Sequence, residues 1–227
     1  VYVRTGLTQR PLDRQFAALA EALDYAPPST NPYDRLADVD STLNAGNDLG
    51  GASLRVKWNL GQGTLTSVTA WRFWDWRPEN DRDFTGLSIV AKSQNPSQQN
   101  QYTQELRYNY SGDRFDFVLG GFAFYQRIDT QGTEQHGRHS SRWSLNPATT
   151  LADGITRLID TPSVLEGLTA INTQYLKNTS LALFGQLSWK VSDDFTIQPG
   201  VRVNYDKKDG FYQRRVFLAD NTEIFTS

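Results

Sequence analysis

Apolar and polar residues alternate along three long stretches of the chain. The first stretch sets one apolar series against one polar series, Leu54, Val56, Trp58 and Leu60 against Arg55, Lys57 and Asn59. Period 2 is typical of a β-strand with two unlike faces. A short turn rich in Gly, Asp and Ser follows each alternating stretch, and a second strand-like stretch follows the turn. The pattern therefore predicts three antiparallel hairpins, at about residues 52–77, 98–127 and 180–208.

The segments between these hairpins are long and polar, whereas the turns within them are short. Short helices are expected in these loops, one capped by Asp13 and one starting at Thr161-Pro162. Two further strands are expected near residues 1–6 and 211–218. Short turns at one end of a sheet and long loops at the other predict an all-β, antiparallel, up-and-down barrel segment that crosses an outer membrane. The predicted loops are residues 7–50, 78–97 and 129–179.

Aromatic residues are concentrated beside the short turns, and charged residues follow the opposite face of each strand. Aromatic rings form girdles at membrane interfaces, and a water-filled interior accommodates the charges. A soluble β-sandwich binding module gives the same alternation, because one face of each of its sheets packs into a core. That alternative stays open, as does a non-gated porin-type channel. The aromatic residues beside the turns are Trp58, Tyr108, Tyr110, Phe115, Phe117, Trp189 and Phe195.

Four strand segments carry a more specific signal than alternation alone. They are Leu65-Thr66-Ser67-Val68-Thr69-Ala70-Trp71-Arg72, Gln104-Glu105-Leu106-Arg107-Tyr108, Leu183-Phe184-Gly185-Gln186-Leu187-Ser188-Trp189 and Gly200-Val201-Arg202-Val203-Asn204-Tyr205-Asp206. In this order, which covers roughly residues 50–210, they resemble strands of the TonB-dependent outer-membrane receptor family. The resemblance implies a 22-stranded barrel with a plug domain in the outer membrane of a Gram-negative bacterium.

The resemblance also implies a function, which is capture and import of a scarce nutrient such as a ferric siderophore. The implied partners are outer-membrane lipid, a small-molecule ligand such as an iron chelate, and the energising inner-membrane TonB-type protein, which acts through the plug. Nothing in the sequence resembles the plug or the aromatic-ended terminal strand of such barrels. We therefore interpret residues 1–227 as a partial barrel domain, a middle segment of a longer receptor.

The composition argues against several other classes of function. The absence of Cys and the presence of only two His disfavour a metal site or a cysteine nucleophile. With 23 Lys+Arg against 25 Asp+Glu, the chain lacks the basic excess of a nucleic-acid binder. No catalytic motif occurs, so we expect no enzyme activity and no cofactor. The acidic run Glu79, Asn80, Asp81 and Asp83 lacks the ligand spacing of a calcium loop.

Two groups of residues are candidates for ligand contact. The first lies in the predicted loop 129–179 and consists of His136, Arg138, His139, Arg142 and Trp143. Its histidines and arginines predict a cationic cluster for an anionic ligand, since guanidinium groups bind planar oxygen groups well. The alternative interpretation is a solvated polar loop.

The second group lies where a strand enters the first long loop. Its aromatic and basic residues predict either a ligand vestibule or the outer aromatic girdle of the barrel. The candidates for ligand contact are Trp74, Trp76, Arg77 and Arg82, with Trp71, Arg72 and Phe73 beside them.

Overall fold

A single nine-stranded sheet dominates the computed structural model, which describes residues 11–29 and 31–227. The strand expected near residues 1–6 lies outside the described residues. The strands are β1 (Asn44–Leu60), β2 (Gly63–Glu79), β3 (Val90–Gln94), β4 (Ser97–Ser111), β5 (Phe115–His136), β6 (Thr169–Ser192), β7 (Phe195–Ile197), β8 (Gly200–Phe217) and β9 (Glu223–Thr226).

The six long strands form an antiparallel meander. β1 pairs with β2, β2 with β4, β4 with β5, β5 with β6, and β6 with β8. The β1–β2 turn consists of Gly61 and Gln62, and the φ of 63° at Gly61 lies in the left-handed region that glycine tolerates. The predicted all-β, up-and-down architecture is therefore confirmed, and the described chain contributes six of its long strands.

The strands reach farther toward the long loops than the alternation predicted. β5 continues to His136 and β6 begins at Thr169, so the loop predicted over residues 129–179 shortens to 137–168. Polar side chains occupy both faces of these extensions. No hydrophobic period marks them as strand, although the hydrogen-bonded ladder continues.

The other two predicted loops are also shorter in the structure. β1 begins at Asn44 rather than near residue 52, and the predicted loop 78–97 contains β3. The strand expected at residues 211–218 is the distal part of β8, which runs without a break from Gly200.

Two short α-helices lie in the loops, α1 (Phe16–Glu21) and α2 (Ser140–Ser144). α1 lies where a helix was expected, but its N-cap residue is Gln15, not Asp13. The helix expected from Thr161-Pro162 is reduced to one 3-10 turn, and α2 was not predicted. No helix in the described part of the chain is long and apolar enough to cross a bilayer.

Strand register divides the side chains between two faces, because directly paired residues lie on the same face of a sheet. We call the face that carries Leu54 the apolar face and the face that carries Arg55 the polar face. The polar face includes Arg72, Glu105 and Arg202. The apolar face carries a band of aliphatic residues, Leu54, Val56, Leu65, Leu106, Leu119, Leu181, Leu183, Val201 and Val203.

Aromatic residues border this apolar band at both ends. Near the short turns, Phe115 stacks on Trp189 with ring centroids 6.2 Å apart. Ten residues separate Phe115 from Tyr125 at the other border, which is about 34 Å along a strand and roughly 25 Å along the normal of a bilayer at a barrel tilt of about 40°. The band therefore has the height of a membrane-spanning belt. The border near the long loops consists of Trp71, Phe73, Tyr102, Tyr125 and Tyr205.

Most of the buried hydrophobic side chains lie in the loops and not in the sheet. Leu19, Leu87 and Ile159 are at most 5 % exposed, whereas Leu183 and Val203 in the centre of the apolar band are 72 % and 66 % exposed. Within the described residues, no second sheet covers either face. A soluble β-sandwich buries one face of each sheet, whereas a single sheet with an exposed apolar band has the arrangement of a barrel wall.

Candidate ligand-binding site

Three segments interlock at the long-loop end of the sheet, and we call them together the loop cap. The guanidinium of Arg14 donates hydrogen bonds to the carbonyl oxygens of Arg142, at 2.9 Å, and Trp143, at 2.6 Å. The ring of Trp143 packs edge-on against Phe16, with centroids 5.9 Å apart. Trp143 therefore connects the loop after β5 to the segment that carries Arg14 and Phe16. The three segments are the one before β1, described over residues 11–29 and 31–43, the one at residues 80–96, and the one at residues 137–168.

His139, in the loop cap, and His136, the last residue of β5, both contact the segment that precedes β3 or the residues bonded to it. Nδ1 of His139 accepts a hydrogen bond of 3.0 Å from the backbone N–H of Ser88. Nδ1 of His136 lies 2.9 Å from the hydroxyl of Ser140, which also donates to the carbonyl oxygen of Ile89. Both imidazoles thus contribute to the seam between residues 87–90 and the loop that follows β5.

Burial favours the neutral form of both histidines. Burial lowers the pKa of His136, and the positive charge of Arg82 lowers it further. Burial also lowers the pKa of His139, to which the positive charge of Arg138 adds. The lowered pKa values therefore argue against a contribution of these two residues to the positive charge of the predicted cationic cluster.

Carboxylates neutralise two of the arginines near the loop cap. Arg142 pairs with Asp160 at 2.6 Å, and Arg82 pairs with Glu134. Arg138 is exposed and has no ion pair within 4 Å among the described residues. Four of the five candidates thus lie in the loop after β5 and His136 ends that strand, but the structure does not assemble them into a single cationic surface.

Trp74 and Trp76 lie together on the polar face of β2. Their rings stack with centroids 5.7 Å apart and an interplanar angle of 17°. Trp71 and Phe73 form a second stack, with centroids 5.3 Å apart, on the apolar face. The aromatic group predicted to be either a vestibule or a girdle is therefore divided between the two faces.

Arg77 does not join the Trp74–Trp76 stack, because its position places it on the other face of β2. There its guanidinium pairs with Asp48 at 2.5 Å and with Asp75 at 3.2 Å. The arginine that lies beside the tryptophans on the polar face is Arg72, two residues before Trp74. Every second residue of a strand lies on the same face, so counting back from Trp76 and Trp74 leads to Arg72.

Two adjacent grooves open beside the stacked tryptophans. The first has a volume of about 550 Å³, and Trp74, Arg72 and Gln99 contribute to its lining. The second has a volume of about 620 Å³ and is lined by Trp76, Pro78 and other residues at the start of the loop cap. Aromatic walls beside a guanidinium suit a planar anionic ligand.

Three carboxylates also meet in the loop cap, with ligand oxygens of Asp40, Asp81 and Asp83 within 4.8 Å of one another. Asp81 is fully buried and accepts hydrogen bonds from the backbone N–H groups of Asp40, Asp83 and Phe84. Burial raises the pKa of Asp83. Asp81 therefore shapes the turn after β2 and ties it to the segment before β1.

Known proteins share this sequence pattern and strand architecture. The sequence matches the family described as TonB dependent receptor-like, beta-barrel, over residues 2–225. No curated protein sequence matches the chain. Among solved structures, the chain is similar to the ferric yersiniabactin uptake receptor FyuA from Yersinia pestis, with 20 % identity and a TM-score of 0.52 over 80 % of this chain. The match covers 24 % of FyuA, so the chain spans about a quarter of that receptor's length.

The family consists of outer-membrane receptors of Gram-negative bacteria and is not a family of enzymes. Both the sequence match over residues 2–225 and the shared strand architecture extend over most of the chain. The chain belongs to the TonB-dependent receptor beta-barrel family.

Proposed function

We propose that the chain forms part of the barrel wall and the extracellular loops of an outer-membrane receptor that imports a scarce nutrient such as a ferric siderophore. The observation that carries this proposal is the Trp74–Trp76 stack on the polar face, directly below the loop cap and beside Arg72. A family-type barrel turns its polar face to the interior. A ligand held by the loops would therefore meet these side chains on its way into the barrel.

The chemistry of this surface favours a ligand with planar, negatively charged groups. Tryptophan rings stack on flat ligand groups, and a guanidinium forms paired hydrogen bonds with planar oxygen groups. Ferric chelates that contain phenolate or carboxylate groups have both properties. The name of FyuA, a ferric yersiniabactin uptake receptor, makes such a chelate a reasonable first ligand to test.

The complete receptor, on this proposal, is a 22-stranded barrel with a plug in a Gram-negative outer membrane. The apolar face contacts outer-membrane lipid, and the TonB-type protein supplies energy through the plug. Ligand contact through Arg138, at the exposed edge of the loop cap, is part of the same proposal.

Uptake of radioactive iron by cells that express the complete receptor tests this function. We expect energy-dependent accumulation from ferric yersiniabactin or from another phenolate or carboxylate chelate, and an uncoupler should abolish it. Uptake that persists in the presence of the uncoupler would instead support a non-gated porin-type channel. No uptake from any ferric chelate would contradict the nutrient class.

A pair of double variants tests the role of the stacked tryptophans. Trp74→Ala with Trp76→Ala should weaken chelate binding on the order of tenfold, given the usual contribution of aromatic stacking. The matched control is Trp71→Ala with Phe73→Ala, which removes the neighbouring stack from the apolar face of the same strand. Equal binding by both double variants would contradict a ligand contact at Trp74 and Trp76.

A further inference from the structure

Basic side chains gather on the apolar face immediately beyond its aromatic border. On β5, Tyr125 is followed on this face by Arg127, and on β8, Tyr205 is followed by Lys207. Lys177 of β6 pairs directly with Arg127. We call Arg127, Lys177 and Lys207 the basic cluster. It lies at the level where the apolar band ends, on the side of the long loops.

All three charged groups extend away from the apolar band. Each contacts a residue two positions nearer the long loops on its own strand. Long basic side chains at a membrane boundary reach toward water and headgroups in this way. The contacts are Arg127 with Asp129 at 2.7 Å, Lys177 over the ring of Tyr175 at 5.0 Å from its centroid, and Lys207 with Asp209 at 3.4 Å.

The basic cluster carries more positive charge than its neighbours neutralise. Asp129 offsets Arg127 and Asp209 offsets Lys207, whereas Lys177 has no carboxylate within 4 Å in the described part of the chain. Lys177 is paired directly with Arg127 of β5 on one side and with Asp209 of β8 on the other, and Asp209 itself contacts Lys207. Like charges at directly paired positions are destabilising, so Arg127 and Lys177 repel each other. An anion bound at Lys177 would offset the repulsion.

A groove on each side of the basic cluster extends the surface. Below the cluster, an apolar groove of about 640 Å³ runs over Gly121 and Ala123, with Leu106 and Leu183 in its walls. The small residues leave room for a hydrocarbon chain among the larger ones. Above the cluster, a groove of about 760 Å³ contains Arg127, Asp129, Tyr175 and Phe211. The surface thus changes from apolar to basic within a short distance.

We propose that the basic cluster and the apolar groove below it bind a phosphorylated acyl lipid of the outer leaflet. Its phosphate contacts Lys177 and Lys207, and one acyl chain lies over Gly121 and Ala123. The proposal rests on the outer-membrane location proposed above. Both the charge of the cluster and its continuity with an apolar groove at the membrane boundary favour an amphiphilic anion over a wholly soluble one.

Native mass spectrometry of the complete receptor tests this site directly. The receptor is equilibrated in phosphatidylcholine nanodiscs with equal amounts of dioleoyl phosphatidic acid and dioleoylglycerol, which differ only in the phosphate. We expect the receptor to retain the phosphorylated lipid preferentially. Lys177→Gln with Lys207→Gln should reduce that preference on the order of tenfold. The matched control is Lys57→Gln with Lys208→Gln, which removes two lysines from the polar face and should leave the preference unchanged.

Three results would overturn the proposal. Equal retention of the two lipids would exclude a phosphate-selective site, and an equal loss in both double variants would indicate general electrostatic attraction. Displacement of the lipid by an equimolar amount of inorganic phosphate would indicate a site for the free anion. Failure of the receptor to insert into nanodiscs would contradict the membrane location as well, whereas insertion without selectivity contradicts only the lipid site.

Discussion

Gly137 passes close to the backbone of the segment that precedes β3. A Cβ atom at this position would overlap with the carbonyl oxygen of Ser88, so only glycine fits here without a shift of the backbone. The N–H of Gly137 donates to the carbonyl oxygen of Ile89 at 2.9 Å. A single residue without a side chain thus allows the seam of the loop cap to close.

Substitution of this glycine should open the seam. We expect Gly137→Ala in the complete receptor to destabilise the loop cap by about 1–3 kcal/mol, the usual cost of overpacking. Faster hydrogen exchange at the amides of residues 88 and 137, each corrected for its intrinsic rate, would report the change. Gly210→Ala is the control, because its nearest neighbouring atom would lie at an ordinary 3.6 Å. Unchanged exchange in Gly137→Ala would contradict the close packing of the seam.

The neutral histidines make the same seam sensitive to acid. Their pKa values lie below the ordinary 6.5 in the folded chain, so the folded loop cap binds fewer protons than the unfolded one. The contribution of the two histidines to the stability of the loop cap is fully present above about pH 6.5. It is lost as the pH falls through their lowered pKa values. We expect hydrogen exchange at Ser88, corrected for its intrinsic rate, to accelerate between pH 7 and pH 5.

A double variant and an internal control test this pH dependence. His136→Gln with His139→Gln keeps an acceptor for Ser88 but removes the titration, so exchange should no longer respond to pH. The N–H of Ile155 donates a hydrogen bond of 2.9 Å to the Asp153 carboxylate, and the hydrogen bonds that this carboxylate accepts, first from the Thr156 hydroxyl, lower its pKa. The protection of the Ile155 amide from exchange should therefore stay constant between pH 7 and pH 5. An unchanged pH response in the double variant would contradict the role of the histidines.

The strand is the scale at which the two faces acquire different environments. Val203 lies in the apolar band of β8, and Asn204 beside it points to the polar face. A lysine in the centre of a lipid-facing band costs about 2–4 kcal/mol, whereas interior positions tolerate charge. The same substitution at two consecutive residues should therefore have very different effects.

Unfolding of the complete receptor from vesicles by guanidinium chloride measures this difference. We expect Val203→Lys to lower the free energy of unfolding by about 2–4 kcal/mol and Asn204→Lys to change it by less than about 1 kcal/mol. Similar values for the two variants would mean that the faces are not in lipid and water.

The alternating pattern predicts strands well only where one face is apolar. Leu54 to Leu60 could be assigned from the sequence because hydrophobic residues recur at every second position. Residues 129–136 and 169–179 are strand as well, but polar residues dominate both of their faces. Their pairing is decided by the continuing backbone ladder, which leaves no hydrophobic signal in the sequence.

At the scale of the whole molecule, the sheet has two long edges. β1 pairs only with β2 and β8 pairs with β6 and, near its end, with β9, within the residues that the structure describes. Unpaired edges of this length promote association with other strands. We propose that neighbouring strands of the complete barrel cover these edges.

The chain produced on its own tests this view of the edges. We expect it to aggregate or to form mixed oligomers in detergent, whereas the complete receptor runs as one species. Size-exclusion chromatography with light scattering distinguishes these states. A stable monomer with heat-modifiable migration in electrophoresis would show that the sheet closes on itself.

The candidate site could be predicted only in part. The sequence predicted Trp74, Trp76 and Arg77 together as candidates for ligand contact, and a strict count of period 2 places the two tryptophans on the opposite face from Arg77. The neutral state of His136 and His139 depends on burial among distant loop residues, and the pairing of Arg142 with Asp160 joins residues 18 positions apart. Such contacts arise from the fold of the loop cap, which no local pattern encodes.

The measurement that tests the central claim most directly is a spin-label scan along β8 of the complete receptor in lipid vesicles. Cysteines are introduced one at a time at residues 201–206, and the labels are relaxed by oxygen, which concentrates in lipid, or by a water-soluble nickel chelate. A barrel wall predicts high oxygen accessibility at 201, 203 and 205 and low oxygen accessibility at 202, 204 and 206, because consecutive residues alternate between faces. Equal accessibility at all six positions, or the opposite alternation, would contradict a lipid-facing apolar band.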